Sequence, residues 1–209
     1  MESLLHTIFL KSPLNLWDAF EEECQKFYEQ PAHTFTEMRT RDNKKVRGDI
    51  FEDFCVLYLK NVLGYTNVWR LPDVPEDVLE KLTLKRRDTG IDIIAERDGQ
   101  YSAVQCKYKK HVSFKKNVVT WKALSTFYAM CMRTGPYQRY IVMTNCSYVT
   151  HMGKKTAKDL SICLGTLRKT TKEEWTRMCK LEENTMECSL PLPKTVEQLR
   201  AARLAFFTK

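Results

Sequence analysis

The sequence predicts an α/β fold: a small mixed β-sheet flanked by helices, with helical extensions at the N- and C-terminal ends. Three observations point there. Residues 48–63, GDIFEDFCVLYLKNVL, carry apolar side chains at helical spacing. Ile91–Glu96 and Tyr101–Tyr108 read as strands joined across Asp98-Gly99, a strong hairpin signal. The order helix, hairpin, helix, strand, helix then calls for helical layers around a sheet. The 209 residues suffice for one ordinary domain with appendages. With 43% hydrophobic and 29% charged residues, the balance is that of a globular chain.

Taken in order, residues 14–30 place Leu16, Phe20, Cys24 and Phe27 on one helical face, and Pro31 stops that helix. Residues 31–45 are polar and read as a loop, so 1–45 form a helical extension. In the 48–63 helix, Phe51, Phe54, Tyr58 and Val62 make the stripe, Asp49 suits an N-cap, and Gly64 ends it. Residues 66–71 suit a short strand, and 71–87, with two prolines, a connector with one amphipathic turn. After the hairpin, 117–133 read as a helix with Val118, Trp121, Leu124, Ser125, Tyr128 and Met132 on one side. Residues 140–144 form a buried strand, and 149–160 and 171–181 read as helices, closing a domain over 46–181. A sparse linker and a last helix, Val196–Phe207, occupy 182–209.

Several function classes drop out. Glycine is scarce, and neither GxGxxG nor GxxxxGK[ST] occurs. No apolar run approaches the ~20 residues of a membrane span, and Leu4–Leu10 lacks the basic flank of a signal peptide. Eight cysteines contain no CxxC, which argues against zinc and for buried thiols in a reducing compartment. The expected location is therefore intracellular: the cytoplasm, or the nucleus in a eukaryotic or viral setting. The charge is segregated. Residues 1–84 hold 10 basic and 15 acidic side chains, 85–122 hold 10 and 4, and 123–209 hold 14 and 7. A basic face of this kind suits a polyanion.

The hairpin places chemistry. With Asp98-Gly99 at the turn, Asp92 lies directly opposite Gln105, and Lys107 shares their face. The other face, with Val104 and Cys106 opposite Ile93 and Ile91, suits a core. A carboxylate at a strand start is a hard ligand for Mg²⁺ or Mn²⁺, and the Cys106 backbone carbonyl and the Gln105 side-chain carbonyl can add oxygens. A lysine beside such an ion can orient or deprotonate a water and steady charge on phosphorus. An ordinary solvated hairpin face would show the same spacing. Glu52 borders the apolar side of its helix, where a carboxylate needs a partner.

The segment Asp88-Thr89-Gly90-Ile91-Asp92, followed by Gln105-Cys106-Lys107, resembles the nuclease motif of the PD-(D/E)xK superfamily. The nearest likeness is to the Mrr-like branch, with glutamine in place of the usual acid and an upstream G-x-x-[FY]-E that matches Gly48-Asp49-Ile50-Phe51-Glu52. The resemblance spans roughly residues 46–165. It implies a restriction-endonuclease-like core and a divalent-metal-dependent DNA endonuclease. Asp92 and Glu52 would bind Mg²⁺ (or Mn²⁺), with the Cys106 carbonyl assisting. Gln105 would take the second-acid position and Lys107 would be the catalytic lysine. The implied substrate is double-stranded DNA, and the implied partners are a second copy of the chain or a fused or associated helicase domain. Arg86, Arg87, Lys109, Lys110, Lys115, Lys116 and Lys122 are placed to meet phosphates. A catalytically inactive nucleic-acid-binding module, or the nuclease end of a larger assembly, fits the same residues.

Overall fold

The computed structural model describes residues 2–11, 15–29, 34, 43–87, 90–110, 117–150 and 156–180. Among these residues, five strands form one mixed sheet in the order β1-β2-β3-β5-β7. They are β1 (Asn67–Arg70), β2 (Ile93–Arg97), β3 (Gln100–Lys107), β5 (Arg139–Thr144) and β7 (Asp159–Ile162). The first three run antiparallel as neighbours, and β3, β5 and β7 run parallel. A separate parallel pair joins β4 (Val118–Val119) to β6 (Tyr148–Val149).

The hairpin forms because Asp98 and Gly99 both adopt positive φ, 55° and 73°. That is the type I′ geometry whose twist matches the flanking strands. The register is the expected one, from Arg97 opposite Gln100 to Ile93 opposite Val104.

Helices cover both sheet faces. On one lie α1 (Glu2–Lys11), α2 (Leu16–Glu29), α3 (Asn43–Asn61) and α7 (Lys172–Cys179). Phe51, Phe54, Cys55 and Leu59 of α3 pack with Ile93, Ala95, Val104, Cys106, Ile141 and Met143. Trp17 and Phe20 of α2 join this core, with ring centroids 5.1 and 4.8 Å from Phe54. The first two helices thus bury their apolar stripes against α3 and α7, in the core on this side of the sheet. On the other face, α4 (Glu76–Leu82) and α5 (Ser125–Arg133) pack over Ile94, Ala103 and Val142, and the short turn α6 (Leu164–Leu167) leads into α7.

Four local expectations are corrected. The 48–63 helix starts earlier, at Asn43, so Asp49 lies inside it and is no N-cap. Residues 117–133 are not one helix: Val118 and Val119 pair with Tyr148 and Val149, and the α-helix starts at Ser125. Met132, expected on the buried side, is 83% exposed. The 149–160 helix is replaced at its end by β7, because pairing with β5 buries its backbone bonds better than an isolated helical turn. The connector does hold an amphipathic helix, α4, and 171–181 is helical as α7 with a capping box at Thr171 and Glu174. His33, His151, Lys115, Lys116 and the 182–209 segment with its helix lie outside the described residues.

Candidate active site

β3 is the central strand of the sheet, and every side chain from Ser102 to Cys106 is buried. Sequence alternation placed Gln105 on a chemical surface opposite a core. Both faces are in fact covered, and Gln105 is only 3% exposed. The hairpin ladder ends at Ile93 opposite Val104. The Asp92 N–H then donates to the Val104 carbonyl at 2.9 Å, one residue out of register. That slip turns Ile91 into the opposite core from Cys106, correcting the expected pairing of those two.

The slip also frees the Asp92 side chain to lie along the strand edge. Its Oδ2 accepts the Cys106 N–H at 2.7 Å and an Nε2–H of Gln105. The carboxylate therefore takes the place of the backbone acceptor that a longer β2 would have offered. In an extended strand a residue's N–H and C=O point to the same side. The Cys106 carbonyl thus faces the same gap, 3.5 Å from the Gln105 Nε2. Gln105 presents its amide donor to Asp92, not the carbonyl oxygen foreseen from its chemistry.

Gly90 sets the approach to Asp92. Its φ is +104°, and a Cβ there would stand 3.0 Å from the Phe127 backbone nitrogen and from the Thr126 backbone carbon. The chain entering Asp92 runs directly against the start of α5, so a side chain is excluded.

Glu52 reaches the same place from α3. Burial pushes its carboxyl group up to about 7, with the negative charge of Asp92 adding to the effect and Arg70 opposing it. Burial also raises Asp92, countered first by the Cys106 N–H, then by the charge of Lys107, then by Gln105 and Arg70. Lys107 therefore stands within electrostatic reach of Asp92, half-buried at the end of β3. Asp92, Glu52, Gln105, Cys106 and Lys107 are brought together by three separate elements.

Arg70, at the end of β1, completes the group. Its Nη2 lies 3.0 Å from Glu52 and 3.2 Å from Asp49, and its Nη1 lies 3.2 Å from Asp53. The next residue, Leu71, donates its N–H to the Asp92 carbonyl at 2.8 Å. Sequence reasoning missed Arg70. The one available signal was that it is the sole cation between Lys60 and Lys81.

The basic residues divide by use. Arg86 donates to the Pro72 and Val74 carbonyls at 2.7 and 2.8 Å and pairs with Glu76, bracing the turn before α4. Lys109 donates its ammonium to the Val118 carbonyl at 2.7 Å. Its backbone is clasped by Asn145, which accepts from the Lys109 N–H and donates to the Lys109 carbonyl. Arg87, Lys110 and Lys122 are exposed. Among the described residues, no three His, Cys, Asp or Glu side chains are grouped to hold a metal ion. A cation here would rest on two carboxylates and neutral oxygens.

A family model described as Restriction endonuclease, of the Mrr catalytic type, matches residues 60–184, more than half of the chain. The chain belongs to this restriction endonuclease family. Membership makes the protein a nuclease, and the mixed sheet between helical layers is consistent with the restriction-endonuclease-like fold. The matched stretch holds Arg70, Asp92, Gln105 and Lys107, and begins after Glu52. No curated protein and no solved structure matches the chain.

Proposed function

We propose that this restriction endonuclease homologue is a divalent-metal-dependent DNA endonuclease with Asp92, Glu52, Gln105 and Lys107 at its centre. One observation carries the reading. Two carboxyl groups from different elements meet here: the negative charge of Asp92 adds to the burial that raises Glu52, and the charge of Lys107 acts on Asp92.

The donors suit Mg²⁺ or Mn²⁺. The Asp92 and Glu52 carboxylates and the Cys106 carbonyl are hard oxygens. Burial is the main cause that raises Glu52, with the charge of Asp92 second, and a divalent cation held by these residues would offset both. When bound, such an ion polarises the phosphodiester and acidifies water. The chain's own groups do the rest. The Cys106 N–H and the Gln105 amide fix one Asp92 oxygen, which stops the carboxylate from rotating away. Gln105 adds no charge where a second acid would stand, leaving Glu52 as the second carboxylate. Lys107 orients the attacking water and steadies the charge that grows on phosphorus. The attacking water gives up a proton to solvent as its oxygen bonds to phosphorus, one ester P–O bond breaks, and the departing oxygen takes up a proton from solvent. Exposed Arg87, Lys110 and Lys122, with Lys115 and Lys116, are proposed to meet the phosphates of double-stranded DNA. Arg86 and Lys109 shape the loops that present them.

Full-length protein incubated with supercoiled and linear DNA plus Mg²⁺ or Mn²⁺ tests this. Wild type is expected to nick and linearise the DNA. Asp92→Ala and Lys107→Ala are each expected to lose about 10³-fold in rate. Equal background nicking by all three would refute the proposal.

A further inference from the structure

Three carboxyl groups, Asp49, Glu52 and Asp53, lie on Arg70, and a fourth, Asp92, feels the charges of both Lys107 and Arg70. The formal surplus is two negative charges. Asp49, Glu52 and Asp53 share one face of α3, and the Arg70 guanidinium spans all three. Its Nη2 divides between Glu52, on the Asp92 side, and Asp49, on the outer side. The Arg70 Nε is buried and has no hydrogen-bond partner among the described residues. The guanidinium is therefore held by carboxylates on one side alone, and losing Glu52 still leaves it Asp49 and Asp53.

We infer that Arg70 is a placeholder cation, a positioning residue that holds Glu52 beside Asp92 in the metal-free protein and yields Glu52 to an incoming divalent ion while staying paired with Asp49 and Asp53. The inference rests on the reading of Asp92 and Glu52 as the ion's ligands. Its physical basis is competition. A carboxylate that binds both the guanidinium and the ion must loosen one to hold the other, so Arg70 weakens divalent-ion affinity at a site it also keeps assembled. Arginine suits the task because its planar fork bridges several carboxylates at once, which a lysine ammonium does less well.

The test uses the full chain, with Mn²⁺ alone as the probe and binding followed by calorimetry or by the Mn²⁺ electron paramagnetic resonance signal. Arg70→Gln is expected to bind Mn²⁺ about five- to tenfold more tightly than wild type. Arg70→Lys is expected to tighten binding less, in the same direction, and it keeps the test open if Arg70→Gln fails to fold. The deciding arm is a double-mutant cycle with Glu52→Gln. Competition for Glu52 requires the gain from Arg70→Gln to vanish once Glu52 is an amide. A gain of equal size in the Glu52→Gln background would reduce Arg70 to a distant charge and overturn the inference, as would unchanged or weaker binding in both Arg70 variants. Absence of Asp92-dependent Mn²⁺ binding in the wild type would instead overturn the metal-site reading itself.

Discussion

Glu52 is held in a place where its charge is unwelcome. Burial, reinforced by Asp92, lifts its carboxyl group from the ordinary 4.5 to about 7. Folding therefore favours the protonated form. In the metal-free protein this contribution to stability is complete below about pH 4.5 and is lost as the pH rises through 7. Glu52→Gln removes the loss. Chemical denaturation is expected to show the variant gaining on wild type between pH 4.5 and 8, by about 1–2 kcal/mol after solvent screening of this half-buried group. Excess Mg²⁺ is expected to reverse the ranking, because only wild type offers both carboxylates. Gly90 makes a second prediction. Its positive φ and the 3.0 Å approach to the α5 backbone leave no room for a Cβ. Gly90→Ala is expected to cost about 2–3 kcal/mol and to depress cleavage further by moving Asp92. Asp92, Gln105 and Lys107 could be singled out in the sequence because a two-residue turn brings their strands side by side, but Asp92 itself sits one residue out of the register that turn predicts. Arg70 was not, because nothing local marks one arginine among 34 basic residues.

The elements differ in how far they could be read ahead. The hairpin was clear because Asp98-Gly99 suits a single turn geometry. The stripe of α3 was clear because Phe51, Phe54, Tyr58 and their neighbours repeat at helical spacing. The end of β2 was hidden, since the bulge at Asp92 and the close approach of Gly90 to α5 join segments far apart in the chain. Val118-Val119 looked helical because pairing with Tyr148-Val149 is visible only once both segments are placed. The N-terminal helices carry a prediction of their own. Trp17 and Phe20 are 1% and 0% exposed, wedged against Phe54. Phe20→Ala is expected to cost about 3–5 kcal/mol in urea denaturation. A chain starting at residue 46 is expected to show no cooperative unfolding transition, because α3 would expose the face that α2 covers.

Across the whole molecule, charge is separated by position along the chain and then rejoined at one end of the sheet. The acidic N-terminal portion sends Asp49, Glu52 and Asp53 to the site, where Arg70 meets them. The basic stretch beginning at Lys85 supplies Lys107 and the exposed Lys110 and Lys122 beyond it. DNA affinity measured against salt is expected to fall steeply, and Lys110→Ala and Lys122→Ala should each lower the log–log slope by about 1 without altering cleavage pattern. An unchanged slope would place the DNA elsewhere on the surface. Among the described residues, no helix is long and apolar enough to cross a membrane.

Short-range pattern carried the fold class, the hairpin register, the main helix, the basic excess and the D…QxK spacing, because each depends on residues near one another in the chain. Packing settled the rest. It buried both faces of β3, stopped the β2 ladder at Ile93, two residues short of the expected Ile91, so that the Asp92 carboxylate caps the strand edge, and swung β1 beside α3 so that Arg70 reaches Glu52. It also assigned Arg86 and Lys109 to bracing loops. These outcomes turn on which backbone groups remain unpaired when helical layers close over the sheet, a condition met only between distant segments.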